Sequence, residues 1–264
     1  MKRVLNIIFL IILASGAISL FVFANVKQKE LKCSMFEIEI DYDGAPILIT
    51  KSTIRNMVTR SGIRVKDQLI TDIPVTKLQK VINSNPYVKK ATLSVSVNGV
   101  VKAAIQQRDP VARIMDIDNN EYILDKTGNL MPVNQDFPVR LVFANGNISI
   151  RKNNIPAVKE KASRTNTLNQ RLTGDLSYIH KAAMAIHSDS LTNALVEQIY
   201  LNEMKEIELV PKVGNQLIIL GDTSQINQKL HNLKVFYQEG IKNFALNNYK
   251  TINLKYKNQV VCSK

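Results

Sequence analysis

Residues 91–106 read Ala91-Thr92-Leu93-Ser94-Val95-Ser96-Val97-Asn98-Gly99-Val100-Val101-Lys102-Ala103-Ala104-Ile105-Gln106. Ala91, Leu93, Val95 and Val97 alternate with polar or small residues, Asn98-Gly99 follows, and Val101, Ala103 and Ile105 alternate again. Each alternating run offers one face to a core. Asn-Gly between two such runs favours a two-residue type I′ turn, so the stretch predicts an antiparallel hairpin.

Working toward the N-terminus, 85–86 is Asn-Pro, which stops a helix. Before it, Val75, Leu78, Val81 and Ile82 form an apolar helical stripe, with Asp72 placed to cap it and Pro74 in its first turn. Ile54, Met57 and Val58 mark another helix over 51–61, and Gly62 is placed to end it. Asp43-Gly44-Ala45-Pro46 makes a turn, and Phe36, Ile38 and Ile40 alternate with Glu37, Glu39 and Asp41 as a half-buried strand. The order is β-α-α-β-β, a compact module over 33–107.

Downstream, 108–264 predicts a second, larger, β-rich domain. Strands are expected at 111–115, 122–124, 130–133, 141–144, around 199–201, at 207–210 and at 217–220. Leu176, Ile179, Ala183 and Ile186 give one helix; Ile226, Leu230, Leu233 and Tyr237 give another, capped by Asp222 or Thr223 and closed by Gly240. The polar stretch 151–174 lacks periodicity and is expected to be a loop or insertion. The chain ends on a strand in which Ile252, Leu254 and Tyr256 alternate with Asn253, Lys255 and Lys257, running on to Val260 and Val261. The fold class is α+β.

Residues 4–24, VLNIIFLIILASGAISLFVFA, contain no ionisable side chain. About 21 residues at the helical rise give about 31 Å, the thickness of a hydrocarbon core. Lys2 and Arg3 precede this run, which places the tail 1–3 in the cytoplasm and the remainder outside. Ala14-Ser15-Gly16-Ala17 offers small residues to a signal peptidase, but the apolar run continues through Phe23, longer than an ordinary signal core. The expectation is an uncleaved single-span anchor, a polar connector at 25–32, and a periplasmic bulk.

The formal charge is +13. A basic exported surface can meet acidic partners or lipid head groups, and without a nucleic-acid motif it does not point to DNA or RNA. Cys33 and Cys262 lie at opposite ends of the exported chain, which favours buried or free thiols over a disulfide.

The residues give little catalytic chemistry. Asp125-Lys126-Thr127-Gly128 matches the phosphorylated tetrapeptide of cation-pumping ATPases, but a single span and no nucleotide motif make it a turn with Gly128 at positive φ. His180, His187 and His231 have no carboxylate or cysteine at metal-ligand spacing. Nucleophile-elbow, phosphate-loop and zinc-protease motifs are absent from the sequence, so no enzyme, cofactor or metal is expected.

An interaction role remains. Residues 229–264 hold seven lysines against one acid, Glu239. A terminal strand with an unpaired edge invites strand addition by a partner, yet Lys255 and Lys257 would equally serve to keep such an edge solitary. The residues alone leave both readings open.

The order of anchor, β-α-α-β-β module and β-rich domain resembles the bacterial cell-division family FtsQ, called DivIB in other bacteria. Asn85-Pro86-Tyr87-Val88 before a hairpin is similar to the second-helix-to-strand junction of a POTRA domain. Gln107-Arg108-Asp109-Pro110-Val111-Ala112-Arg113 looks like the lead-in to that family's β domain, and 122–128 resembles its D-x-x-G hairpin. Ile252-Asn253-Leu254-Lys255-Tyr256 looks like its final hydrophobic-polar-Leu-Arg-Tyr strand, with Lys255 replacing the usual arginine and losing bidentate geometry.

The resemblance implies a non-enzymatic divisome scaffold of the inner membrane, found at the septum during division. It implies partners of the FtsB and FtsL type at the C-terminal strand edge, through Ile252, Leu254, Lys255, Tyr256, Lys257 and Val260, and other divisome components at the POTRA domain. A different use of a POTRA module, in membrane protein translocation or assembly, would instead require a C-terminal β-barrel.

Overall fold

The computed structural model describes residues 13–16, 19, 31–150, 174–243, 249–257 and 259–264. The anchor expected at 4–24 lies outside them except for 13–16 and 19, which are helical, and no helix among the described residues is long and apolar enough to cross a membrane. The insertion expected at 151–174 also lies outside, apart from Gly174. Two compact units form: the described part of Met1–Asp41 with Ile49–Gln107, and Tyr42–Leu48 with Arg108–Lys264.

The first unit is β1 (Met35–Asp41), α1 (Lys51–Arg60), α2 (Val75–Asn83), β2 (Val88–Val95) and β3 (Val100–Gln107). Its sheet has the order β1-β3-β2, with β1 parallel and β2 antiparallel to the central β3. Ile38, Ile40, Val101 and Ile105 of the sheet and Ile54, Val58, Leu78 and Ile82 of the helices are buried together as its core. Thr50 caps α1 by accepting from the Thr53 amide at 3.2 Å, and Gly62, at φ +73, follows its end.

Two local expectations are corrected. The β2–β3 hairpin has a three-residue loop: Ser96 N–H donates to the Val100 carbonyl at 2.9 Å and Gly99 N–H to the Ser96 carbonyl at 3.1 Å. A type I′ turn needs two residues at positive φ; here only Gly99 is there, at +83°, so the chain makes a type I turn closed by a glycine bulge. Asp72 does not cap α2. It ends a short 3-10 turn, Ile70–Asp72, and Pro74 begins the helix without a side-chain cap. Pro74 carries no N–H, so it removes a donor that a cap at Asp72 would use.

The second unit is one open nine-stranded sheet among the described residues. Its strands are β4 (Pro110–Met115), β5 (Glu121–Asp125), β6 (Leu130–Pro132), β7 (Val142–Gly146), β8 (Val196–Leu201), β9 (Ile207–Pro211), β10 (Leu217–Gly221), β11 (Thr251–Asn253) and β12 (Val261–Ser263), in the order β12-β11-β10-β9-β8-β7-β4-β5-β6. The barrel that the assembly-factor alternative requires is a closed sheet; this one ends in β12 and β6. Helices α3 (Asp175–Ser188), α4 (Ser190–Leu195) and α5 (Ile226–Asn243) lie on the sheet, α3 against β4 and β8, with α5 packed on α3 and α4. Gly240 lies inside α5 and does not end it, and α4 has no counterpart in the sequence reading.

Three hairpins of this unit share one turn. Asp116–Asn120, Asp125–Asn129 and Asn202–Glu206 each close with the first residue's N–H donating to the fifth residue's carbonyl at 3.0 Å. The fourth residue sits at positive φ: Asn119 at 62°, Gly128 at 85°, Lys205 at 62°. The first residue's side-chain oxygen accepts the fifth amide, at 2.8, 2.7 and 2.9 Å respectively. An Asx side chain thus replaces the missing ladder partner at each bulge. Asp125 does more: buried to 1 %, it also takes a 2.8 Å ion pair from Arg108.

Asp116 and Asp125 accept the equivalent backbone amides in their turns, and Asp125 adds the Thr127 hydroxyl, at 2.9 Å, and the Arg108 ion pair. Asp125→Ala, which removes the Arg108 ion pair as well as the turn bonds, is expected to cost about 3 kcal/mol or more, against about 1–2 kcal/mol for Asp116→Ala, in urea unfolding. Acid gives a second check. Asp189 caps α4 through the Leu191 and Thr192 amides and pairs with Lys234 of α5 at 2.9 Å, and the Thr192 amide followed by Lys234 holds its pKa down to about 2. A depressed carboxylate stabilises the fold fully above its ordinary pKa and loses that contribution as pH falls through the folded value. Stability should therefore drop between pH 4 and 2, and Asp189→Asn should flatten that drop in thermal melts.

Candidate functional site: the C-terminal sheet edge

The expected terminal strand is two strands. β11 spans only Thr251–Asn253, parallel to β10, and β12 returns antiparallel to it, pairing Thr251 with Ser263, Ile252 with Cys262 and Asn253 with Val261. The alternation at 252–256 therefore does not continue to 261: polar Lys257-Asn258-Gln259 interrupts it, and Gln259 N–H donates to the Tyr256 carbonyl at 3.3 Å. That polar triplet was the available signal for the break. β12, not β11, is the outermost strand.

The predicted site residues divide accordingly. Ile252 and Leu254 are buried core residues, and Leu254 N–H extends the β10 ladder to the Ile219 carbonyl at 2.8 Å. Val260 is half-buried against the same core. Tyr256 is 55 % exposed at the turn, with Lys257 exposed beside it. Lys255 is exposed but already engaged: its Nζ meets Glu206 Oε1 at 2.6 Å, and that hydrogen bond raises its pKa.

Two residues that the sequence reading missed position Lys255. Glu206 closes the β8–β9 turn, and Gly221 ends β10 at φ +75 with no side chain, so the stem of Lys255 passes over it; a Cβ there would lie 2.7 Å from Lys255 Cγ. Nearby, Lys229 of α5 donates to Asp222 Oδ1 at 2.7 Å and to its carbonyl at 2.9 Å; this contact, followed by the Ser224 hydroxyl, lowers the Asp222 pKa. A groove of about 230 Å³ is lined by Glu206, Asp222, Lys229, Leu254, Lys255 and Tyr256 among others. Both of its carboxylates are matched by lysines, and Lys257 is left as a cation outside any ion pair among the described residues.

On the far side of β11, Thr251 Oγ1 and Ser263 Oγ lie 2.5 Å apart. Cys262 and Cys33 are free thiols, Cys33 fully buried, and burial raises the pKa of Cys262. The geometry is that of a strand edge flanked by an aromatic and lysines. Among the described residues no cluster of three or more His, Cys, Asp or Glu could hold a metal, and His180 meets the Lys126 carbonyl at 3.0 Å.

Each of the two units matches a known family. The family described as FtsQ/DivIB, C-terminal related, matches residues 109–263, and a POTRA-like domain matches 31–106. The chain belongs to the FtsQ/DivIB family. No curated protein matches it. FtsQ/DivIB proteins are non-enzymatic scaffolds of cell division, and a POTRA domain followed by the family's C-terminal domain is their organisation.

Gly221→Ala places a β-carbon at positive φ and against the Lys255 stem. It is expected to cost more than about 1 kcal/mol in chemical denaturation. Glu206→Gln breaks only an exposed pair and should leave the midpoint close to that of the parent chain.

Proposed function

We propose that this FtsQ/DivIB chain is a single-span scaffold of the division machinery. Segment 4–24 holds it in the inner membrane, tail 1–3 is cytoplasmic, and both folded units stand in the periplasm, gathering at the septum. Partners of the FtsB and FtsL type add a strand along the outer edge of β12, and other divisome components reach the POTRA domain.

The observation that carries this reading is the unoccupied outer side of β12 among the described residues, next to exposed Tyr256 and Lys257. Main-chain hydrogen bonds along such an edge supply affinity, and flanking side chains supply specificity. Tyr256 is the aromatic anchor, and Lys257 is the cation available to an acidic residue. Lys255 can serve a partner only by exchanging Glu206 for the partner's carboxylate. Ile252, Leu254 and Val260 act from behind, as the apolar backing that keeps the edge in place.

Co-purification of FtsB and FtsL with the full-length chain tests the edge. Tyr256→Ala should weaken capture by about 30-fold, the effect of losing one aromatic hot spot of about 2 kcal/mol. Lys257→Glu should weaken it further, and cells should lengthen as septation fails. Undiminished capture with normal cell length would sink the assignment. Removal of 2–24 should release the protein from membranes; continued membrane association after an alkaline wash would refute the anchor.

A further inference from the structure

The POTRA unit carries a second feature, at the end where the chain enters it. The β2–β3 hairpin tip presents Val97, 84 % exposed, with Val95 at 39 % behind it and Met35, at 58 %, opening β1 at the same end. The entering segment lies directly on this tip. Ser34 N–H donates to the Gly99 carbonyl at 2.9 Å, and a Cβ on Gly99 would sit 2.6 Å from the Lys32 carbonyl oxygen. Gly99, at φ +83, is thus needed both for the turn and for the close passage of the chain.

The loop after α1 closes around the same point. Cys33 N–H donates to the Gln68 carbonyl at 2.8 Å, Asp67 N–H to the Cys33 carbonyl at 2.9 Å, and Lys32 bridges to Leu69. Lys66 directly precedes the Asp67 that bonds Cys33, so it stands near Lys32, with Arg64 two residues before it and Arg60 at the end of α1. All four are exposed, and none is in an ion pair among the described residues. The bias extends through the helical layer, where seven Lys and Arg over 51–83 stand against two acids, Asp67 and Asp72.

Six residues, 25–30, separate the apolar segment ending at Ala24 from Leu31. Fully extended, the step from Ala24 to Leu31 spans at most about 25 Å. Resting on the anchor reading, the geometry points to an interfacial docking site. The Val97 tip, with Val95 and Met35, enters the head-group region of an anionic bilayer while Lys32, Arg64 and Lys66 meet its phosphates. Apolar tips flanked by basic residues bind such surfaces, and each basic residue near the surface contributes a roughly fivefold preference. Docking would fix the POTRA unit at the membrane, independently of the partner edge on β12.

The chain has no tryptophan, so Val97→Trp gives a single reporter. The full-length variant is placed in nanodiscs of phosphatidylcholine alone, or with about a third phosphatidylglycerol, and brominated lipids serve as quencher. Blue-shifted, quenched emission only in the anionic discs, reversed by half-molar salt, is expected. Lys66→Gln and Arg64→Gln should each lower the docked-to-undocked ratio by about fivefold, with melting curves checking the fold, and Lys32→Gln provides a third variant should either be unstable. Emission identical in both disc types, in protein that remains with the discs, overturns the docking alone. Protein that does not remain with either disc overturns the anchor, and the docking with it.

Discussion

The parallel pairing of β10 with β11, secured by burial of Ile252 and Leu254, decides where the C-terminal sheet stops. A strand's outward amides and carbonyls must be paired, covered or left to water. β11 has both sides taken, by β10 and β12, so it is interior despite its three residues. The open side passes to β12. The POTRA-like sheet treats its own β2 edge differently: at Ala91, α2 supplies Asn83 Oδ1 to the amide and Gln79 Nε2 to the carbonyl, each at 2.8 Å. One edge is partly closed by side chains of its own unit; among the described residues the β12 edge is not.

Much of the fold was legible in the sequence because apolar period and turn chemistry coincide there. The β-α-α-β-β order followed from Ile38/Ile40, Ile54/Val58, Leu78/Ile82 and the 91–106 hairpin; the helices, β1 and the hairpin's Ala91, Val101, Ala103 and Ile105 bury the predicted faces, whereas Val95 and Val97 toward the tip are exposed. The failures share a cause: two local signals competed and the shorter-range one was over-read. Asn98-Gly99 suggested a two-residue turn, but one residue at positive φ sufficed once Val97 joined the loop. Alternation from Ile252 to Tyr256 suggested one long strand, although Lys257-Asn258-Gln259 carries nothing to bury. Helix α4 was missed because its short stretch has no full apolar stripe; it is held by the Asp189 cap and by Lys234, a partner 45 residues away that local pattern does not register.

The candidate site was legible in its residues and not in their roles. Six positions between Ile252 and Val260 could be named from pattern and resemblance, yet which of them face solvent depends on where the chain reverses. Glu206 and Gly221 are invisible to such reading, because they matter through Lys255, 49 residues beyond Glu206. Their effect is electrostatic and steric together: Gly221 leaves room for the lysine stem, and Glu206 fixes its head. With Lys229 on Asp222 and Lys255 on Glu206, the groove's two carboxylates are matched, and Lys257 is its cation outside any ion pair among the described residues.

β12 is also the least anchored strand of its sheet. Three registered pairs hold it, with Val260 and Cys262 only half-buried behind it. Beneath lies Tyr237, 5 % exposed, whose hydroxyl has no hydrogen-bond partner among the described residues and whose pKa is pushed up to about 12, first by burial and then by Cys262. Elements with few buried contacts open locally at low cost. On the proposed function, a strand added outside β12 would supply main-chain pairing to that edge, so that binding and closure of this hairpin reinforce one another. On the same reading, a short and weakly held β12 is what a sheet finished by another chain requires.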